Sequence, residues 1–240
     1  MTLPAMAEQV YQIGLWCSEA YGPSTRFVAY YQSDTFNMGI GIAESGRRVV
    51  ACAGSKDVRD FIDDATALPA HVPELDCFLH AGFVEGYRDA FAWLRSHLGD
   101  GGRGAAGAAG INPADSIDFG GHSLGGPHAN LMAVLAAKAG LPVGLLVMLE
   151  TPRPGFAAFR DLSNQLIKPI YSFVNGRDWV PNLPPEALGW CHVAPLICLN
   201  NPGTDRQLLN GGIDPDHMLD AVLPGLKAWR DGQSGGALAA

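Results

Sequence analysis

Apolar positions along the chain follow two rhythms, one of helices and one of strands. Between residues 4 and 20, Val10, Ile13, Leu15 and Trp16 fall near one side of a helix. "STRFVAYYQ" (24–32) and "NMGIGIAE" (37–44) read as two strands around "SDTF", a hairpin, and "RRVVACAG" (47–54) as a third. In "SKDVRDFIDDA" (55–65) Val58, Phe61, Ile62 and Ala65 recur at helical spacing, with Ser55 as the N-cap. "ELDCFLH" (74–80) predicts a short strand and residues 83–98 a helix. After the small, glycine-rich connection 98–115, "SIDFGG" predicts a strand and "SLGGPHANLMAVLAAKAG" a helix that Gly140 ends. "PVGLLVML", a helix over 155–167, strands at 169–175 and 191–200 and a helix over 216–230 complete the pattern, and the Gly/Ala-rich tail beyond reads as frayed.

A hairpin first, then strands alternating with helices, predicts an α/β fold. Its central sheet is mainly parallel, covered by helices on both faces, with antiparallel strands at one side. At 240 residues the chain is long enough for one domain with a substantial core. Apolar residues make up 48% and charged residues 17%, which excludes a disordered chain. The net charge of −8, with no dense Lys/Arg cluster, argues against nucleic acid as a partner. The longest apolar run, "LPVGLLVML", is far too short to span a bilayer. Five cysteines (17, 52, 77, 191 and 198) form no CxxC pair. With a start that lacks a basic, apolar leader, this gives the expectation of a reduced, cytoplasmic chain, with export by another route left open.

Chemistry concentrates in "DFGGHSLGGPHAN" (118–130). Gly121, His122, Ser123, Leu124 and Gly125 spell Gly-x-Ser-x-Gly between a predicted strand and a predicted helix. A serine presented on so sharp a turn draws the residues two before and two after it together, and only glycine fits there. The Leu124 N–H would then face a developing oxyanion at the helix N-terminus. Serine is a weak nucleophile at neutral pH and needs a base. Downstream, His192 lies inside a strand-like run and reads as structural, whereas His217 follows a loop and can reach a cleft. Asp178, just past a strand end in "YSFVNGRDWVPNLPP", is favoured as the acid over Asp205, Asp214 and Asp216. No His/Asp/Glu spacing predicts a metal, and no GxGxxG or Walker pattern predicts a cofactor.

With these blocks in view the chain resembles the class 3, fungal-type lipases of the α/β-hydrolase superfamily. "VVACAGSKDVRDFIDDA" resembles the family's strand, Arg-Gly-Ser/Thr turn and lid helix, and "LHAGFVEGY" its His-x-Gly-Phe segment. "LETPRPGFAAF" resembles its Gly-x-Pro-Arg segment, "YSFVNGRDWVPNLPP" its acid-bearing segment and "DPDHMLDAV" its terminal Asp-His segment. The resemblance implies a triad of Ser123, Asp178 and His217. It also implies a second oxyanion donor at Ser55 and a lid carrying Val58, Phe61 and Ile62. The implied activity is hydrolysis of esters or glycerides, with transient contact at a lipid interface. A non-lipolytic esterase, an acyltransferase and an inactive binding protein are the alternatives on this scaffold. The chain departs from the family in three places: Ala53 stands where the family has Arg, Glu150 where it has Gly unless the register there is shifted, and Pro127-His128 follow the motif where a small residue is usual. His128 reads as a structural histidine.

Overall fold

The computed structural model describes residues 2–54, 68–99, 116–199 and 215–235. Seven strands form the main sheet. β2 (Asn37–Ile42) lies between β1 (Phe27–Gln32) and β3 (Arg48–Ala53) and runs antiparallel to both. A separate antiparallel pair, β4 (Pro69–Val72) and β5 (Cys77–His80), follows. β6 (Ile117–His122), β7 (Val143–Leu149), β8 (Ile170–Val174) and β9 (Leu196–Cys198) then extend the main sheet from β3, each parallel to its neighbour. The order is β1-β2-β3-β6-β7-β8-β9, which puts the antiparallel strands at one side of a mainly parallel sheet, as expected.

The helices are α1 (Leu3–Glu19), α2 (Ala81–Val84), α3 (Tyr87–Leu98), α4 (Gly125–Lys138), α5 (Ala157–Leu166) and α6 (Leu219–Gly235). Strand period decides which of them covers which face. Val50 and Cys52 of β3, with Leu146 and Met148 of β7, join a core that includes Leu94 of α3, Leu131 and Met132 of α4 and Phe159 of α5. The intervening Val49, Ala51, Leu145 and Val147 join the opposite core, with Ile13 and Trp16 of α1 and Val222 and Leu226 of α6. Both faces of the central strands are therefore buried, which is why β3 and β7 read as unbroken apolar runs rather than alternating ones.

Four predicted elements come out differently. The helix expected over 83–98 is two, α2 and α3, parted where Gly86 turns left-handed at φ 73°. The strand expected over 191–200 shrinks to β9, and Cys191 makes only a single bridge to Gly155. The strand expected over 74–80 begins at Cys77 and pairs with β4, which no sequence pattern announced. The last helix runs on to Gly235, past its expected end.

Asp118 pins three elements together. Its buried carboxylate accepts hydrogen bonds from Gln9 Nε2 of α1 (2.9 Å), Arg47 Nε (2.7 Å) and the Leu145 N–H of β7 (3.0 Å). Arg47 also makes a second, shorter contact with it through Nη2. Removing Asp118 leaves the part-buried Arg47 charge without its partner and the buried Gln9 amide and Leu145 N–H without their acceptor. Asp118→Ala is therefore expected to cost about 3 kcal/mol in urea unfolding. A loss under about 1 kcal/mol would mean that the pair behaves like one at the surface.

Candidate active site

The C-terminal ends of the adjacent parallel strands β6, β7 and β8 meet at one edge of the sheet, and their loops carry the candidate chemistry. At the end of β6 the chain turns straight into α4. Ser123 sits on that turn at φ 55°, a conformation that costs any residue with a Cβ. The turn is possible because of its glycines. A Cβ on Gly121 would lie 2.0 Å from the Gly125 carbonyl oxygen, and one on Gly125 would lie 2.3 Å from that of Cys52. The Ser123 N–H donates to Leu149 O (2.9 Å), which ties the turn to the end of β7. A Cβ on Gly54, just after β3, would come within 3.2 Å of the Leu124 nitrogen and 2.8 Å of the Ser123 Cβ, so the space before Leu124 stays open because residue 54 has no side chain.

The structure brings Ser123, His217 and Asp178 into one hydrogen-bonded line. His217 Nδ1 lies 2.7 Å from Asp178 Oδ2 and its Nε2 2.9 Å from Ser123 Oγ. A carboxylate only accepts, so Nδ1 carries the hydrogen and Nε2 is left to accept from the serine hydroxyl. All three residues are buried. Asp178 Oδ1 accepts from the Val180 N–H (3.1 Å). Burial works to raise the Asp178 carboxyl, but the hydrogen bond and charge of His217 outweigh it and hold the group below its ordinary range. This geometry can move the serine proton to the imidazole while the carboxylate steadies the cation formed.

Two further ties place the His217 segment. His122, inside the Gly-x-Ser-x-Gly motif, lies 2.8 Å through Nε2 from the His217 carbonyl oxygen. A carbonyl only accepts, so Nε2 donates and Nδ1 accepts from the Tyr21 hydroxyl. Burial pushes His122 down to about 3, so the ring stays neutral and keeps this tautomer. Asp216 does not face the imidazole as an acid would. Its Oδ2 accepts from the Arg177 N–H (3.0 Å), and the Asn175 side chain donates to its carbonyl (3.3 Å). Gly176 passes so close, at φ 55°, that a Cβ there would lie 2.1 Å from that carboxylate oxygen. Asp216 thus clamps the loop bearing Asp178 to the turn bearing His217.

A fourth buried side chain reaches the line. Glu150 follows β7 at φ 52°, and one of its carboxylate oxygens lies with donor atoms of Asp178 and His217 in a cluster spanning no more than 4.8 Å. Among the described residues this is the one group with metal-ligand spacing, but both His217 nitrogens are already engaged, so an ion there would have to break the line. The sequence reading gave no part to Glu150, Tyr21 or Gly54. The departure from the family glycine at position 150 was the signal available.

His192 donates to the Pro181 carbonyl (2.8 Å), as a structural histidine does. His128 is buried, stacks on Phe36 with ring centroids 3.9 Å apart, and is pushed down to about 3 by burial. Ser55, Val58, Phe61, Ile62, Asp205 and Asp214 lie outside the described residues.

Known proteins bear on this geometry directly. The sequence model described as Lipase (class 3) matches residues 49–188. Secreted mono- and diacylglycerol lipase 1 of Fusarium solani is 29% identical over 160 residues, 66% of this chain and 46% of that protein. A lipase of Rhizomucor miehei is 29% identical over 178 residues, 71% of this chain and 47% of that protein. The chain thus spans about half the length of these relatives. The fold matches the solved triacylglyceride lipase of Rhizomucor miehei with a TM-score of 0.68 at 21% identity, over 83% of this chain and 82% of that one. These relatives also correct the expected location. Several are named as secreted lipases, which overturns the cytoplasmic reading. The unpaired thiols had suggested a reducing compartment, but Cys17, Cys52 and Cys77 are packed away as small apolar side chains, a role that suits any compartment. The match covers more than half of the sequence, and the chain belongs to the class 3 lipase family.

Proposed function

We propose that this chain is a serine hydrolase that cleaves carboxylic esters, with acylglycerols as its substrate class. The observation that carries the reading is the Ser123–His217–Asp178 line, with hydrogen bonds of 2.9 and 2.7 Å. In this reading His217 takes the Ser123 proton as the hydroxyl oxygen attacks the ester carbonyl. The Leu124 N–H stabilises the oxyanion at the start of α4. His217 then protonates the departing alcohol, leaving an acyl-Ser123 ester. Water, activated by the same imidazole, releases the acid and restores the hydroxyl. The names of the relatives support acylglycerols as the class, since they are mono- and diacylglycerol lipases. No helix among the described residues is long and apolar enough to cross a membrane.

The reading is tested with p-nitrophenyl esters from acetate to palmitate. Ser123→Ala and His217→Ala are each expected to lower kcat by about 10⁶-fold with the fold intact. Asp178→Asn is expected to lower it by about 10⁴-fold, since an amide no longer fixes the imidazole tautomer. Hydrolysis surviving in Ser123→Ala would overturn the proposal. Turnover confined to the shortest chains would replace acylglycerols with small esters as the substrates.

His122→Phe keeps an aromatic ring but removes the tie to the His217 carbonyl. Leaving the buried His217 carbonyl without its donor, and the part-buried Tyr21 hydroxyl without its acceptor, is expected to cost about 1–3 kcal/mol in denaturant unfolding. A fall in kcat should accompany it, because the imidazole loses its backbone anchor. Unchanged stability and unchanged kcat would show that the tie is idle.

A further inference from the structure

Glu150 is a carboxyl group in a place that offers it little. Both its oxygens are buried, and neither makes a hydrogen bond of ordinary geometry. The polar groups that act on it are the Asp178 carboxyl and the backbone of Asn175, and Asp216 adds a further negative charge. The His217 imidazole completes the cluster, and neutral His122 lies beyond it, ring centroid 4.9 Å from that of His217. From β7 itself no charged partner reaches Glu150. From the loop after β8 comes Asp178, and from the turn before α6 come Asp216 and His217. The backbone at Glu150 is also left-handed, which any side chain with a Cβ resists and glycine does not. Two penalties thus fall on one residue that family resemblance would make a glycine.

Two carboxyl groups this close, out of water and facing a further carboxylate, do not both ionise. Which of them keeps the proton follows from their partners. Asp178 accepts from His217 Nδ1 and from the Val180 N–H, two donors that favour its charged form. Glu150 meets no donor at strict hydrogen-bond geometry, and the nearby Asn175 backbone favours its charged form less than burial and the Asp178 charge oppose it. We propose that Glu150 and Asp178 share one proton at neutral pH, with Glu150 as the protonated member and donor, which makes Glu150 a positioning residue for the Asp178 carboxylate. Burial and the adjacent Asp178 charge both push the Glu150 carboxyl well above its ordinary range, in agreement with this placement. The location of the proton stands whatever the chain hydrolyses, whereas the positioning role rests on the proposed triad.

The sign of the pH effect is fixed. Unfolded Glu150 has lost its proton above about pH 5. A folded state that keeps the proton is destabilised relative to the unfolded chain as pH rises toward the raised titration point. Glu150→Gln holds the same shape and can donate, but cannot ionise. The whole chain would be unfolded in urea at steps from pH 5 to pH 8, as wild type and as Glu150→Gln. The ratio of their folding constants should move in favour of Gln by about tenfold per pH unit. A ratio that stays flat would mean that Glu150 is ionised in the fold, and would overturn the proposal. If Glu150→Gln does not fold, Glu150→Gly fits the left-handed backbone and supplies the same comparison.

The positioning role has its own readout, the pH profile of kcat/KM. Without a donor from residue 150 the Asp178 charge is undamped and holds a proton on the imidazole more tightly. Glu150→Gly should therefore move the acid limb to higher pH, and Glu150→Gln should return it toward the wild-type position. Superimposed limbs for wild type and Glu150→Gly would overturn the positioning role. A loss of activity that leaves the limb in place, unrescued by Gln, would do the same. Activity surviving in Ser123→Ala would count against the triad while the unfolding comparison still locates the proton.

Discussion

The close approach of Gly121 to the Gly125 carbonyl sets the geometry on which the site depends. Only with bare Cα positions on either side can the chain leave β6 and enter α4 within two residues. That reversal forces Ser123 into the left-handed region and lifts its Oγ above the ends of the parallel strands. Parallel order then does the rest. Because β6, β7 and β8 point the same way, their ends deliver Ser123, Glu150 and Asp178 to one edge although they are far apart in sequence. His217 arrives from outside the sheet and needs its own attachments, which Asp216 and His122 supply.

Burial gives these attachments their effect. In water an imidazole–carboxylate hydrogen bond is a weak constraint, while in an interior it fixes a tautomer and an orientation. His122 illustrates the point. Desolvation keeps it neutral, neutrality makes one nitrogen a donor and the other an acceptor, and the two partners present are a carbonyl and a hydroxyl. The same desolvation that steadies the His217–Asp178 pair makes a further carboxyl at Glu150 expensive, so a proton there is the natural resolution.

Much of this was legible in the sequence, for physical reasons. Strands buried on both faces leave continuous apolar runs, and the parallel order of helices and strands follows from their alternation. Gly-x-Ser-x-Gly is readable because steric necessity writes both glycines. Asp178 and His217 could be picked out because one follows a strand end and the other a loop. What was hidden depends on contacts distant in sequence. β4 is a four-residue strand that starts with a proline and exists only by pairing with β5. Asp216 sits beside His217 in the chain, yet its carboxylate turns to the loop of Arg177, which no local pattern predicts. Glu150 showed itself in the sequence only as a misfit, and its meaning required seeing Asp178 beside it.

The central claim is that Ser123 is the activated nucleophile of an acyl-transfer site. The most direct test is covalent trapping with a fluorophosphonate, followed by peptide mapping of the labelled chain. The account predicts a single adduct, on Ser123, formed in step with loss of esterase activity and absent from His217→Ala. An adduct on another residue, or full activity remaining after Ser123 is labelled, would contradict it.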